Sequence, residues 1–165
     1  MKILDRVQIK RKIERMAFEI AESNFESEKL YILGINNNGY HFAEMLKTQL
    51  EKICNLDFVL CRLSLNPKNP VSEKISIDMD EKDLENSNIL IVDDVANTGR
   101  TLFYGMRVLM DVIPSKVETA VLVDRMHKSF PISINYVGQS FATTIQDNIL
   151  VSLDKKGQES VYLEM

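Results

Sequence analysis

The apolar positions of this chain fall into two alternating kinds of stretch. Residues 30–35 (Leu-Tyr-Ile-Leu-Gly-Ile), 89–92 (Ile-Leu-Ile-Val) and 120–123 (Ala-Val-Leu-Val) are continuous runs with no polar position. Such runs suit strands covered on both faces, whereas a half-exposed strand alternates. Residues 57–65 and 116–124 also read as strands. Between the runs the apolar positions lie three or four apart. Ile9, Ile13, Met16, Ala17 and Ile20 predict a helix over 6–25; Phe42, Ala43, Leu46 and Leu50 predict a second; Leu102, Met106, Leu109 and Met110 a third. Residues 74–78, 134–141, 149–153 and 160–163 read as shorter strands, the last at an edge. Pro67 and Pro70 break the strand before them and leave 66–73 as a mobile loop. Strands alternating with helices predict an α/β fold. It has a mostly parallel central sheet of about five core strands and helices on both faces.

Composition narrows this picture a little. The 165 residues make one domain of ordinary size, 45% hydrophobic and 27% charged. A net charge of −4 gives no general attraction to nucleic acid or an anionic membrane. No apolar run approaches the roughly 18 residues of a membrane span, and the first residues lack a signal-peptide core. The expectation is a cytoplasmic protein without membrane contact. Cys54 and Cys61 sit in or beside apolar segments and read as reduced core residues. The basic cluster Lys10-Arg11-Lys12 reads as a solvated helix face, with RNA contact as the alternative.

The chemistry concentrates after the run at 89–92. Two carboxylates follow, Asp93 and Asp94, then a short turn through Val95, Ala96, Asn97, Thr98 and Gly99, then Arg100 and Thr101 at the start of a helix. Backbone N–H groups left uncovered at a helix start favour a phosphate, and the helix dipole adds to this. Gly99 permits close approach or positive φ, the threonine hydroxyls add donors, and Arg100 adds charge. The acidic pair would repel a phosphate, so it suits ribose hydroxyls or hydrated Mg²⁺. The bland alternative is a helix after a strand, with two solvated aspartates.

The segment Ile-Leu-Ile-Val-Asp-Asp-Val-Ala-Asn-Thr-Gly-Arg-Thr (89–101) resembles the 5-phosphoribosyl-1-pyrophosphate (PRPP) motif of type I phosphoribosyltransferases. Residues 121–138, Val-Leu-Val-Asp-Arg-Met-His-Lys-Ser-Phe-Pro-Ile-Ser-Ile-Asn-Tyr-Val-Gly, resemble the branch of pyrimidine operon regulators and uracil phosphoribosyltransferases. The resemblance covers most of the chain and weakens between 55 and 85. It implies one domain over 1–165, with a small hood built from the N-terminal segment and about 125–163. It implies transfer of ribose 5-phosphate from PRPP to a nucleobase, uracil first, with release of pyrophosphate. Asp93 and Asp94 are the implied catalytic pair and residues 95–101 the implied PRPP loop. Arg125, Val137, Gly138 and Phe141 are placed at the base or hood. Mg²⁺ is implied as the cofactor, held mainly by substrate and without a protein cage. A dimer or larger assembly is implied, as is RNA as a partner of the regulatory branch. His127 falls near the implied pocket, and His41 reads as incidental.

The chain also departs from the family pattern. The pyrophosphate loop is implied at Asn36, Asn37, Asn38 and Gly39, where a basic residue is usual. Neutral hydrogen bonds contribute roughly 0.5–1.5 kcal/mol against about 1.5–3 for charged ones, so pyrophosphate should be held less firmly. The loop 66–73 is shortened, with Arg62 and Lys68 as the basic candidates nearby. Ser140, Phe141, Ala142 and Thr143 stand where the family tends to have Asn, a small apolar residue, Pro and Thr or Ser. These departures imply weak turnover, and at the limit a PRPP-binding module without any. Asn97 stands where purine-using relatives often carry an acid; an amide is no general base, which leans towards a pyrimidine.

Overall fold

In a computed structural model, residues 1–142, 144 and 147–164 are described. The strands are β1 (Lys2–Leu4), β2 (Lys29–Ile35), β3 (Asp57–Ser64), β4 (Ser76–Ile77), β5 (Asn88–Ala96), β6 (Lys116–Arg125), β7 (Tyr136–Phe141), β8 (Asn148–Ser152) and β9 (Ser160–Glu164). The α-helices are α1 (Arg6–Ser23), α2 (Asn36–Ile53) and α3 (Arg100–Gly105), with 3-10 turns at Glu81–Leu84 and Met106–Leu109. Six strands form one sheet in the order β4-β3-β2-β5-β6-β7. All its pairings are parallel except β3 with β4. The other three strands form a small antiparallel sheet, β1-β9-β8.

The unbroken apolar runs are the three central strands. Leu30 and Ile32, Leu90 and Val92, and Ala120 and Leu122 face α1 and α2. There they bury Ile9, Ile13, Met16 and Ile20 of α1 with Phe42, Leu46 and Leu50 of α2. The alternate residues, Leu33, Ile35, Ile91 and Val121, face α3 and the 3-10 turns with Leu102, Val108 and Leu109. Each such side chain contributes roughly 1.5–3 kcal/mol on burial. The two cores on either side are what hold the strand ends in register. A capping box fixes the entry to α1: Gln8 N–H donates to the Asp5 carboxylate and Asp5 N–H to the Gln8 side chain. Cys61 is buried and Cys54 half-buried, both as free thiols; burial first, then Asp78, pushes the Cys61 thiol up to about 11.

Several sequence expectations shift. The third helix stops at Gly105 and continues as a 3-10 turn. With about three residues per turn, Met110 leaves the apolar stripe and stands 70% exposed. The expected strand at 74–78 shortens to Ser76–Ile77 at the sheet edge. Residues 36–39, expected as a loop, form the first turn of α2. The segment assigned to the hood divides: β7 joins the large sheet beside β6, and β8 and β9 join β1 in the small one. No helix among the described residues is long and apolar enough to cross a membrane.

Candidate active site

The carboxyl ends of β2 and β5 lie side by side, with Gly34 paired to Val92. What leaves each strand therefore meets in one cleft, the usual ligand position in an open α/β sheet. The cleft consists of two adjoining cavities of about 490 and 450 Å³, which share Asp93, Val95, Asn97 and Thr101. The first is completed by Thr98, Gly99 and Arg100, the second by Asn36, Asn37, Asn38 and Asp94. Residues 58 positions apart in sequence are thus neighbours because two parallel strands end at one level.

Gly39 decides how close the two sides come. A Cβ there would lie 2.8 Å from the Val92 carbonyl oxygen and 3.2 Å from Asp93 Oδ1. Without one, α2 starts directly on the acidic pair. Asp93 is 7% exposed, and its Oδ1 accepts the Asp94 N–H at 2.9 Å. Burial, and then the neighbouring Asp94, pushes the Asp93 carboxyl well above the usual carboxylate range. Asp94 is half-buried and accepts from Asn38 Nδ2 at 3.1 Å. The same Asn38 amide reaches the Val151 carbonyl at 3.4 Å, which ties the small sheet to the acidic pair. The two carboxylates are thus unlike: Asp93 is buried and its proton affinity raised, and Asp94 is half-buried at the cleft.

The turn after β5 is braced from outside. Gly99 has φ 83°, a conformation that other residues adopt only with strain. The Thr98 carbonyl accepts from the Ser129 and Phe130 N–H groups at 3.0 and 3.1 Å. Lys128 Nζ donates to the Asn97 carbonyl at 3.2 Å and is paired with the Asp124 carboxylate. Arg125 donates from Nη1 to Asn97 Oδ1 at 3.2 Å and from Nη2 to the Thr144 carbonyl at 2.8 Å. Carbonyls on the outer side of the turn are occupied, so its shape is set before any ligand arrives. Arg100 donates to the Pro67 carbonyl at 2.7 Å, so it ties the turn to the loop 66–73, which also brings Lys68 to the cleft.

On the opposite side the three asparagines are all engaged. Asn36, at φ 51°, accepts the Leu65 N–H at 3.0 Å through its side chain. Asn37 Oδ1 accepts from Arg62 Nη1 at 2.8 Å. Val137 and Gly138, expected at the base, lie mid-strand in β7, and their carbonyls accept from Arg15 at 2.9 and 2.8 Å. Gly138 is there because a Cβ would lie 2.4 Å from the Leu122 carbonyl oxygen. Neither residue lines the cleft. Phe141 pairs with Arg125 at the end of the sheet and packs against the α1–α2 core. Thr143 lies outside the described residues. The brace formed by Lys128 was not foreseen from the sequence, although Asp124 and Lys128 stand four apart at a strand end. Ile149 of β8 also lines the cleft and was not foreseen.

An acidic pair, a glycine-bent turn into a helix and a facing turn from the adjacent strand thus meet in one cleft. The chain belongs to the phosphoribosyl transferase domain family, matched over residues 2–156, and has the type I phosphoribosyltransferase fold. Within that family it is similar to the pyrimidine operon regulators. Bifunctional protein PyrR of Bacillus subtilis (strain 168) is 33% identical over 168 residues, covering 96% of this chain and 93% of the relative. The pyrimidine operon regulatory protein of Lactococcus lactis subsp. lactis (strain IL1403) is 32% identical over 172 residues, covering 98% and 95%. The fold is also that of the hypoxanthine phosphoribosyltransferase of Trypanosoma cruzi, with a TM-score of 0.79 at 19% identity, over 99% of this chain and 95% of that one.

Proposed function

We propose that the chain transfers ribose 5-phosphate from PRPP to a ring nitrogen of uracil and releases pyrophosphate. The bond from C1 of the ribose to the pyrophosphate oxygen breaks, and its electron pair leaves with pyrophosphate. The base nitrogen forms the new bond to C1 and gives its proton to solvent. The turn 95–101 receives the 5′-phosphate on backbone N–H groups and the hydroxyls of Thr98 and Thr101. Asp94 orients the ribose hydroxyls and favours positive charge as it develops on the ring. Asp93, buried behind it, holds the Asp94 backbone N–H and so fixes the turn. The observation that carries this reading is the meeting of Asp93, Asp94, the turn 97–101 and the turn 36–38 in one cleft.

Asp94, half-buried at the cleft, offers a hard oxygen donor and suits Mg²⁺. Among the described residues no group of three or more His, Cys, Asp and Glu gathers to hold an ion. Asp94 with the oxygens of PRPP would therefore hold it. When bound, Mg²⁺ supplies charge to offset the pyrophosphate.

Uracil is favoured by Asn97, whose side-chain oxygen is taken by Arg125 and which offers no general base to a purine. The pyrimidine relatives point the same way. The name of operon regulator also favours a second, regulatory reading; the resemblance carried by residues 121–138 implies a PRPP- or nucleotide-sensing protein that binds RNA. Of the basic helix face, Lys12 donates to Gln139 at 2.7 Å and Lys10 lies 3.8 Å from Glu14. Arg15 is spent on Glu19 and two β7 carbonyls. Arg11 of the same cluster is exposed and Lys10 keeps 68% of its side chain exposed, so the face stays open to a phosphate backbone at these two residues. A phosphoribosyl transfer assay across several bases, with RNA binding at two salt concentrations, separates the readings. Turnover with uracil supports the enzyme; salt-sensitive RNA binding without turnover supports the regulator. We further place the chain in a homodimer or larger assembly, with Phe103, Met110 and Ile113 as exposed apolar contacts. Sedimentation at micromolar concentration that gives only the 18.9 kDa monomer would contradict this.

A further inference from the structure

The turn 36–38 carries no cation of its own, yet one stands beside it. Arg62 lies on β3, in register with Gly34 at the end of β2. Its backbone is fixed there: Arg62 N–H donates to the Asp78 carboxylate at 2.7 Å, and Asp78 N–H donates to the Arg62 carbonyl at 3.2 Å. Its guanidinium lies 4.3 Å from the centre of the Tyr40 ring and donates to Asn37 Oδ1 at 2.8 Å. Among the described residues no carboxylate forms an ion pair with it. A guanidinium has five N–H donors, and one is used on Asn37.

The Asp78 carboxylate beside it is engaged by the Arg62 backbone N–H. The first turn of α2 has no acidic residue and no side-chain cap. A cation beside the positive end of a helix is unfavourable by itself. The ring face of Tyr40 offsets part of that cost, and an anion would offset far more. Arg62 is not itself a lining residue of the cavity, but Asn37, to which it donates, is, so its guanidinium stands at the edge where the pyrophosphate of PRPP would be received.

We propose that Arg62 supplies, from β3, the positive charge that the 36–38 turn lacks, and that it receives the pyrophosphate group of PRPP together with Asn37. This rests on the phosphoribosyl transfer proposed above. The cation comes from the neighbouring strand instead of from the turn, and its planar fork suits two phosphate oxygens at once. The sequence expectation of weak pyrophosphate binding is then offset by a residue 25 positions from Asn37.

The test uses the full chain with Mg²⁺. Inorganic pyrophosphate, PRPP and uridine 5′-monophosphate are titrated calorimetrically into wild type, Arg62→Gln and Arg62→Lys, with the melting temperature of each. Arg62→Gln is expected to weaken pyrophosphate and PRPP by about tenfold or more and to leave the monophosphate, which has no pyrophosphate, unchanged. Arg62→Lys keeps the charge and recovers part of the loss. Undiminished pyrophosphate binding in Arg62→Gln overturns the proposal, as does equal weakening of all three ligands with a lower melting temperature. A wild type that binds PRPP but shows no dependence on Arg62 removes this proposal alone. A wild type that binds neither PRPP nor the monophosphate removes the transferase reading and this proposal with it.

Discussion

The two turns that face each other across the cleft are built on different principles. The turn after β5 is held by its backbone: Gly99 is in a left-handed conformation, and Ser129, Phe130 and Lys128 fill its outer carbonyls. The turn after β2 is held by its side chains, since Asn36, Asn37 and Asn38 each bond to a different neighbour. A backbone-held turn keeps its shape through most substitutions but fails when the glycine changes. A side-chain-held turn tolerates drift in any one residue and can take its charge from an adjoining strand.

The largest effect should follow a change at the residue that both sides share. Asp94 adjoins the turn after β5 and accepts from Asn38 of the other. Asp94→Asn keeps a hydrogen-bonding oxygen but loses the negative charge, which matters most when the ring becomes cationic. A charged hydrogen bond contributes about 1.5–3 kcal/mol, and 1.36 kcal/mol is about tenfold in rate. The expected loss is roughly 10- to 100-fold in kcat, with PRPP affinity changed by less than about tenfold. Equal kcat per folded molecule, with a lower melting temperature, would make Asp94 a structural residue only.

Gly99→Ala breaks the backbone-held turn. A Cβ there would meet Lys128 Cδ at 3.3 Å and Ile132 Cβ at 3.5 Å, so the Lys128 side chain must give by a few tenths of an ångström and the positive φ is the main obstacle. That strain costs about 1–2 kcal/mol. Melting should fall by about 2–8 °C, or uridine 5′-monophosphate should bind roughly 5- to 30-fold more weakly if the turn relaxes instead. Neither change would mean that the turn is not held in the way described. Asn37→Ala, on the other side, removes one charge-assisted hydrogen bond from Arg62, which solvent screens at this exposed position. The expected result is a loss of a few-fold in PRPP affinity, with monophosphate binding intact. A loss as large as that at Gly99 would erase the contrast between the turns.

The smallest effect concerns pH. The Asp93 carboxyl holds its proton more tightly in the folded protein than in the unfolded chain, through burial first and the Asp94 charge second. The folded state therefore carries the extra proton as pH rises out of the ordinary carboxylate range, about 3.9 in the unfolded chain. Stability falls through that window until folded Asp93 ionises. Asp93→Asn removes the titration and keeps an oxygen for the Asp94 N–H. Its melting temperature should decline less with pH than that of wild type. Parallel curves would show that Asp93 is ionised throughout.

What the sequence made legible follows from distance along the chain. The strands at 30–35, 89–92 and 120–123 were readable because burial on both faces leaves an unbroken apolar run. The turn at 95–101 was readable because strand, acids, glycine and helix are consecutive. The third helix was over-extended because 3.6-residue spacing carried Met110 into a stripe that the 3-10 turn ends. Val137 and Gly138, expected at the base or hood, lie within β7, where Gly138 serves strand packing against Leu122. Arg62 and Lys128 were the hardest to place. Their partners, Asn37 and Asn97, are 25 and 31 residues away and are joined to them only by sheet register.

The central claim is that this cleft binds PRPP. Its most direct test is a titration of the full chain with PRPP and saturating Mg²⁺, followed by heat and by melting temperature. At a free concentration 100 times the dissociation constant, binding stabilises the fold by about 2.7 kcal/mol. For a chain of this size that is a rise of about 5–10 °C, accompanied by a saturable heat. No heat and no shift in melting, at any PRPP concentration up to millimolar, would contradict the account.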